Sequence, residues 1–126
     1  MTSLSILLID DEPSVLCALR LLLTAFGHSV NECSGADIAQ GKLAEGAKPD
    51  LILCDLKMPR MDGIQFLEIV RAQYPHLPFV LMSAHALSDE IDRAKRLGVS
   101  GFLGKPFTPD QLKEGLEAGY THHKKA

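Results

Sequence analysis

Five residues of this chain are of types that could handle a charged group together: Asp10, Asp11, Asp55, Ser83 and Lys105. Each stands at or just past the end of a short apolar run. Taken singly, Asp11 serves as a helix cap, Ser83 as a turn residue and Lys105 as a solvated charge. Brought together, three carboxylates outweigh one ammonium, and like charges at close range push carboxylate pKa values up. A divalent cation would remove that imbalance. Clustered carboxylates without a neighbouring His/Cys ligand set favour a hard, oxygen-seeking ion. Mg²⁺ fits best, with Mn²⁺ as the alternative, because it accepts a few carboxylates and keeps several waters. A metal beside a lysine and a hydroxyl suits a phosphoryl group, whose oxygens they bind and whose transition-state charge they offset. Asp55 is the central carboxylate and the nucleophile that would form an aspartyl phosphate.

For these residues to meet, the chain must deliver them to one place. Ser5–Asp10 (SILLID), Asp50–Asp55 (DLILCD) and Leu77–Ser83 (LPFVLMS) are continuously apolar, as strands covered on both faces are. His28–Cys33 reads as a weaker strand and Val99–Leu103 as a short one. Between them lie helical patterns. Pro13 stands at a first helical position behind Asp11 and Glu12, and Val15, Leu19, Leu22 and Phe26 recur at helical spacing up to Gly27. Ala36–Ala44 follows, then a helix capped by Asp62 with Ile64, Leu67 and Val70 as its apolar stripe. Ser88 is expected to cap a helix through Leu97, ended by Gly98. Thr108-Pro109-Asp110-Gln111 resembles a capping box whose helix runs to about Gly119.

The order predicts an α/β fold: one doubly wound domain, (βα)5, with a five-stranded parallel sheet and five helices on its two faces. In such sheets ligands bind outside the C-terminal strand ends, at the topological switch point. All five chemistry-bearing residues fall on that edge. The domain is expected over residues 1–121, with 122–126 (HHKKA) a basic C-terminal tail or linker end.

Composition sets the remaining bounds. At 126 residues, 46% hydrophobic and 23% charged, the chain is long enough for one core without staples. A net charge of −3 and no basic stripe argue against direct nucleic-acid binding. Nothing approaches the ~20 apolar residues of a membrane span, and the N-terminus does not read as a signal peptide. Cys17, Cys33 and Cys54 are odd in number and far apart, which suits free thiols in a reducing compartment. The cytoplasm is the expected location.

The motifs LLIDDEP (7–13), LCDLKMPRMDG (53–63), MSA (82–84) and FLGKPF (102–107), in this order on five βα units, resemble a response-regulator receiver domain of two-component signalling. The resemblance covers nearly the whole chain and is of the chemotaxis-regulator type, flavodoxin-like in fold. It implies that Asp55 accepts a phosphoryl group from a histidine kinase or a histidine phosphotransfer protein. Asp11 would bind Mg²⁺ directly and Asp10 through water, with the Lys57 backbone carbonyl as a further ligand. Ser83 and Lys105 would each hold a phosphoryl oxygen. Phe102 would be a switch aromatic that turns inward as Ser83 moves. Ala84, His85 and Pro106 would be auxiliary, with the Lys105–Pro106 bond cis, and phosphorylation could bring a homodimer. The output domain or downstream partner is not specified.

Several residues carry a plainer reading beside this one. Phe102 also fits as core; it replaces the tyrosine of many relatives and so has no hydroxyl to report the switch. Met58 and Met61 read as gap-filling loop residues rather than soft-metal ligands. Gly63 serves backbone geometry near the site. His85 either influences how water reaches the phosphoryl group or is an exposed loop residue. The Lys57 side chain either meets phosphate or partner or is solvated, and Glu12 either shares the metal or favours the helix terminus. Two other functions compete. A haloacid-dehalogenase-like phosphohydrolase would need an acid where Lys57 stands. A pseudo-receiver would lack part of the acidic pocket. A flavin site is disfavoured because the first strand–helix turn, DDEPS, would repel phosphate.

Overall fold

A computed structural model describes residues 3–125, with side chains through Thr121. Five strands alternate with five helices: β1 Ser5–Ile9, α1 Pro13–Ala25, β2 Ser29–Cys33, α2 Ala36–Ala44, β3 Leu51–Asp55, α3 Gly63–Gln73, β4 Phe79–Ser83, α4 Ser88–Arg96, β5 Gly101–Gly104 and α5 Pro109–Lys125. All pairings are parallel, in the order β2-β1-β3-β4-β5. This is the doubly wound, flavodoxin-like fold that the alternation of strands and helices predicts, with its switch point between β1 and β3.

The continuous apolar runs work as expected. Every residue of β3 and β4 is buried, as is β1 beyond Ser5. Alternate residues feed two cores, because successive strand side chains point to opposite faces. Ile6, Leu8, Leu53, Val80 and Met82 pack with Leu19 and Leu23 of α1 and Leu112 and Leu116 of α5. Leu7, Ile9, Ile52, Phe79 and Leu81 pack with Ala39 and Leu43 of α2 and Phe66, Leu67 and Val70 of α3. The Phe66 and Phe79 rings meet at 5.8 Å and 56°. β2 is an edge strand, and its Ser29, Asn31 and Glu32 are exposed.

Helix ends follow local chemistry. Gly27 has φ +97, and the His28 and Gly27 amides donate to Leu23 and Thr24, a Schellman closure of α1. Asp62 and Gln65 form a reciprocal capping box on α3, and Thr108 and Gln111 do so on α5.

Three helix ends and several strand bounds differ from expectation: β4 begins at Phe79 rather than Leu77, and β5 spans Gly101–Gly104 rather than Val99–Leu103. Ser88 is the first helical residue of α4, and Leu87 occupies the N-cap; Glu90 supplies the cap by accepting the Leu87 amide at 2.9 Å. That helix stops at Arg96, with Leu97 as its C-cap. α5 continues past Gly119 to Lys125, so residues 122–125 of the expected tail prolong the helix. Gly119 does not break it, because the residue is buried against Val80, where a Cβ would come within 2.7 Å.

Candidate functional site

β1 stops one residue short of Asp10, whose amide still donates to the Cys33 carbonyl at 3.2 Å. Asp10 and Asp55 thereby leave neighbouring strands on either side of the switch point. Asp10, Asp11 and Asp55 each offer a carboxylate oxygen, all within 4.8 Å of one another. Asp10 and Asp55 are buried, unusual for carboxylates and costly without partners.

The partner is Lys105. Its Nζ donates to Asp10 Oδ2 at 3.2 Å and to Asp55 Oδ1 at 3.0 Å. The loop after β5 reaches the site because the Lys105 amide donates to the Ser83 carbonyl at 2.8 Å. The Lys105–Pro106 bond is cis. Burial raises the Asp55 carboxyl above its ordinary value; the Lys105 hydrogen bond opposes this, and Asp10 adds to it. Burial works against the charged form of Lys105, yet Asp55 and Asp10 outweigh it and hold the ammonium above its usual range.

Asp10 is fixed by a second contact, with Oδ1 accepting the Glu12 amide at 3.0 Å. Glu12 is the N-cap of α1 and makes no side-chain cap, so its backbone orients the carboxylate. Ser83 is buried at the end of β4, and its Oγ accepts the His85 amide at 3.1 Å. The hydroxyl hydrogen stays available to an incoming acceptor. Glu12, Val15, Lys57, Ala84 and His85 join Asp55, Ser83 and Lys105 around one cavity.

The β3–α3 loop is shaped by backbone constraints. The Leu56 amide donates to Met82 and the Gly63 amide to Leu56, both at 2.8 Å. A Cβ on Gly63 would come within 2.6 Å of the Asp55 carbonyl and 2.7 Å of Leu81. Only glycine fits against the strand that carries Asp55. Arg60 adopts φ 69 in the same loop and pairs with Asp37 at 3.5 Å. Met58 and Met61 are half-buried against the core, which matches their gap-filling reading.

Of the remaining expected residues, Phe102 is half-buried on β5 against the α2–α3–α4 core. Ala84 and His85 are exposed on the cavity wall, and Pro106 is exposed next to Lys105 in the chain. The Lys57 side chain is not simply solvated: its Nζ donates to Glu90 Oε2 on α4 at 2.6 Å. Nothing in the local sequence pairs those two residues, and only the acid at the third position of α4 hints at a role for Glu90. Cys17 is exposed, and Cys33 and Cys54 are buried. Burial, then Asp55 and Asp10, raise the Cys54 thiol well above its ordinary value. It remains S–H and donates to the Asp55 carbonyl at 3.2 Å. Among the described residues no helix is long and apolar enough to cross a membrane.

A family model for the response regulator receiver domain matches residues 6–117. The chain is 33% identical over 116 residues to the DNA-binding transcriptional regulator NtrC of Proteus hauseri, an alignment covering 92% of this chain and 24% of that protein. It is 38% identical over 102 residues to the response regulator protein FleR of Pseudomonas aeruginosa, covering 81% and 21% respectively. The chain thus spans about a quarter of the length of these curated relatives. Among solved structures, the chemotaxis protein CheY4 of Vibrio cholerae superposes with TM-score 0.84 at 29% identity, covering 92% of this chain and 98% of that one. A receiver domain protein of Methanospirillum hungatei gives TM-score 0.90 over 98% of each chain; at 23% identity that is a likeness of fold.

Proposed function

The chain belongs to the response regulator receiver domain family, and from that premise we propose that Asp55 is its phosphoacceptor. Receiver domains are signalling switches of two-component systems, and here we take the domain to include the whole of α5, past the expected boundary at residue 121. The observation that carries the proposal is Lys105 held between Asp10 and Asp55 at the switch point. A cation already placed on the reacting carboxylate can turn to a phosphoryl oxygen without a new element entering the site.

The donor set suits Mg²⁺ or Mn²⁺. Asp10, Asp11 and Asp55 supply hard oxygens close together, and the Lys57 carbonyl on the adjoining loop would complete the protein's share. When bound, the ion would offset charge on the phosphoryl oxygens. A carboxylate oxygen of Asp55 attacks phosphorus as the P–N bond of a phosphohistidine breaks. The bond's electron pair leaves with the imidazole nitrogen, which takes a proton from solvent. Lys105 pairs with one phosphoryl oxygen, and Ser83 donates its hydroxyl to another. Phe102, half-buried beside β4, is the aromatic that would follow Ser83 inward. The donor would be a histidine kinase or histidine phosphotransfer protein, and the output a protein contact rather than DNA or membrane. The free thiols support a reducing, cytoplasmic setting.

The test uses acetyl phosphate with Mg²⁺ and intact-mass measurement. Wild type should gain one phosphoryl group and Asp55→Asn none. A wild type that stays unlabelled overturns the assignment.

A further inference from the structure

The Lys57–Glu90 contact does more than decorate the surface. Lys57 lines the same cavity as Asp55, Ser83 and Lys105, while its Nζ is drawn to α4 by Glu90 Oε2 at 2.6 Å. The other oxygen of that carboxylate accepts the Leu87 amide at 2.9 Å and so caps the helix. One carboxylate therefore joins the loop after β3 to the first turn of α4. Its helix needs such help. Ala94 is the one buried residue of α4, and the exposed Arg93–Glu68 pair at 3.2 Å is its other ion pair among the described residues.

We propose that Lys57 is a second cation for the phosphoryl group, held in reserve by Glu90, so that charge arriving on Asp55 draws Lys57 away and slackens the start of α4. This rests on the reading of Asp55 as phosphoacceptor. The lysine side chain is 56% exposed and that of Glu90 22%; a pair open to solvent on the lysine side contributes little to stability, so release costs little. A phosphoryl group offers more negative charge and more acceptor oxygens than one carboxylate, so it competes well for the ammonium. Glu90 is then a positioning residue that acts through Lys57. Because the contact is shared, Glu90 weakens phosphoryl binding by as much as phosphoryl binding weakens the Glu90 contact.

Beryllofluoride with Mg²⁺, an inert analogue of the phosphoryl group, tests this in the full chain. Glu90→Gln keeps an oxygen for the Leu87 amide and should bind the analogue roughly threefold tighter, since an exposed pair no longer holds the lysine. Lys57→Gln should bind roughly fivefold weaker, and Lys57→Arg should recover most of the loss. The double variant Lys57→Gln/Glu90→Gln should match Lys57→Gln alone, an equality that a merely structural Glu90 would not produce. In wild type the amides at the start of α4 should exchange faster with the analogue bound. Tightening by Glu90→Gln that persists without Lys57, or wild-type binding by Lys57→Gln, overturns the proposal, as does unchanged exchange. Acetyl phosphate labelling of the same proteins separates the two readings. If wild type is labelled but the variants show no coupling, only this inference falls; if wild type is not labelled, Asp55 as acceptor falls with it.

Discussion

The two ends of the sheet use similar side chains to opposite effect. At the N-terminal ends of the strands, polar atoms close the backbone. Asp50 Oδ2 accepts the Ser5 amide at 2.8 Å, His28 Nδ1 accepts the Leu4 amide at 3.0 Å, and Ser100 Oγ accepts the Phe79 amide at 2.9 Å. Arg71 adds donors there, to the Gly98 carbonyl at 3.0 Å and the Tyr74 carbonyl at 3.1 Å. Each group is matched to a main-chain atom, so that backbone donors and acceptors at this end are satisfied. At the C-terminal ends, Asp10, Asp11 and Asp55 gather together, and Lys105 pairs with Asp10 and Asp55. Matched polar groups stabilise a fold, whereas gathered like charges make a site that answers to cations and anions.

Substitutions at the two ends should separate stability from phosphoryl chemistry. The largest stability effect is expected for Gly63→Ala, whose Cβ would press on the Asp55 carbonyl and Leu81. Overpacking of this kind costs about 1–3 kcal/mol, here near the upper end because one obstacle is backbone. Urea midpoints should fall, and labelling of Asp55 should slow with them; normal labelling would show that the loop tolerates the displacement. At the opposite end, Ser100→Ala strands the buried Phe79 amide and should cost about 1–2 kcal/mol. Labelling measured well below the melting transition should remain at the wild-type rate. A large loss of labelling there would blur the division between the ends.

The smallest effect is a pH dependence at His28. Burial lowers this imidazole below its ordinary 6.5, although Glu117 pulls the other way. The unfolded chain then takes up the proton first, so this contribution to stability is complete above pH 6.5 and is lost as pH falls through the window beneath it. Nδ1 accepts a hydrogen bond, and Nε2 is buried with no partner among the described residues, so the neutral ring is the form that fits. Comparing urea midpoints of wild type and His28→Asn across pH 7 to pH 5 should show a shallower slope in the variant, on the scale expected for a single titrating group. Equal slopes would mean that His28 keeps an ordinary proton affinity in the fold.

Much of this was legible in the chain itself. Runs such as Leu51–Cys54 and Phe79–Met82 are apolar on both strand faces, which a covered parallel sheet demands and an exposed one forbids. Gly27, Asp62 and Thr108 marked helix ends because capping is decided within a few residues. Strand ends placed Asp10, Asp55 and Ser83 on one edge before any contact was known. What escaped was less local. Ser88 carries the expected capping hydroxyl, yet the cap came from Glu90 acting on Leu87. Gly119 looks like a stop until Val80 is seen beside it.

The sequence by itself determined the alternation of elements, the parallel doubly wound fold and the acids and lysine of the site. Those follow from hydrophobic period and cap chemistry, which act over a few neighbouring residues. Only the tertiary structure decided how charges far apart in the chain pair with one another. Lys105 lies 50 residues from Asp55 and Lys57 lies 33 from Glu90. Side-chain pairs at such separations depend on loop paths and helix packing, which no local pattern encodes. The fold brings Lys105 onto Asp55 and Lys57 onto Glu90.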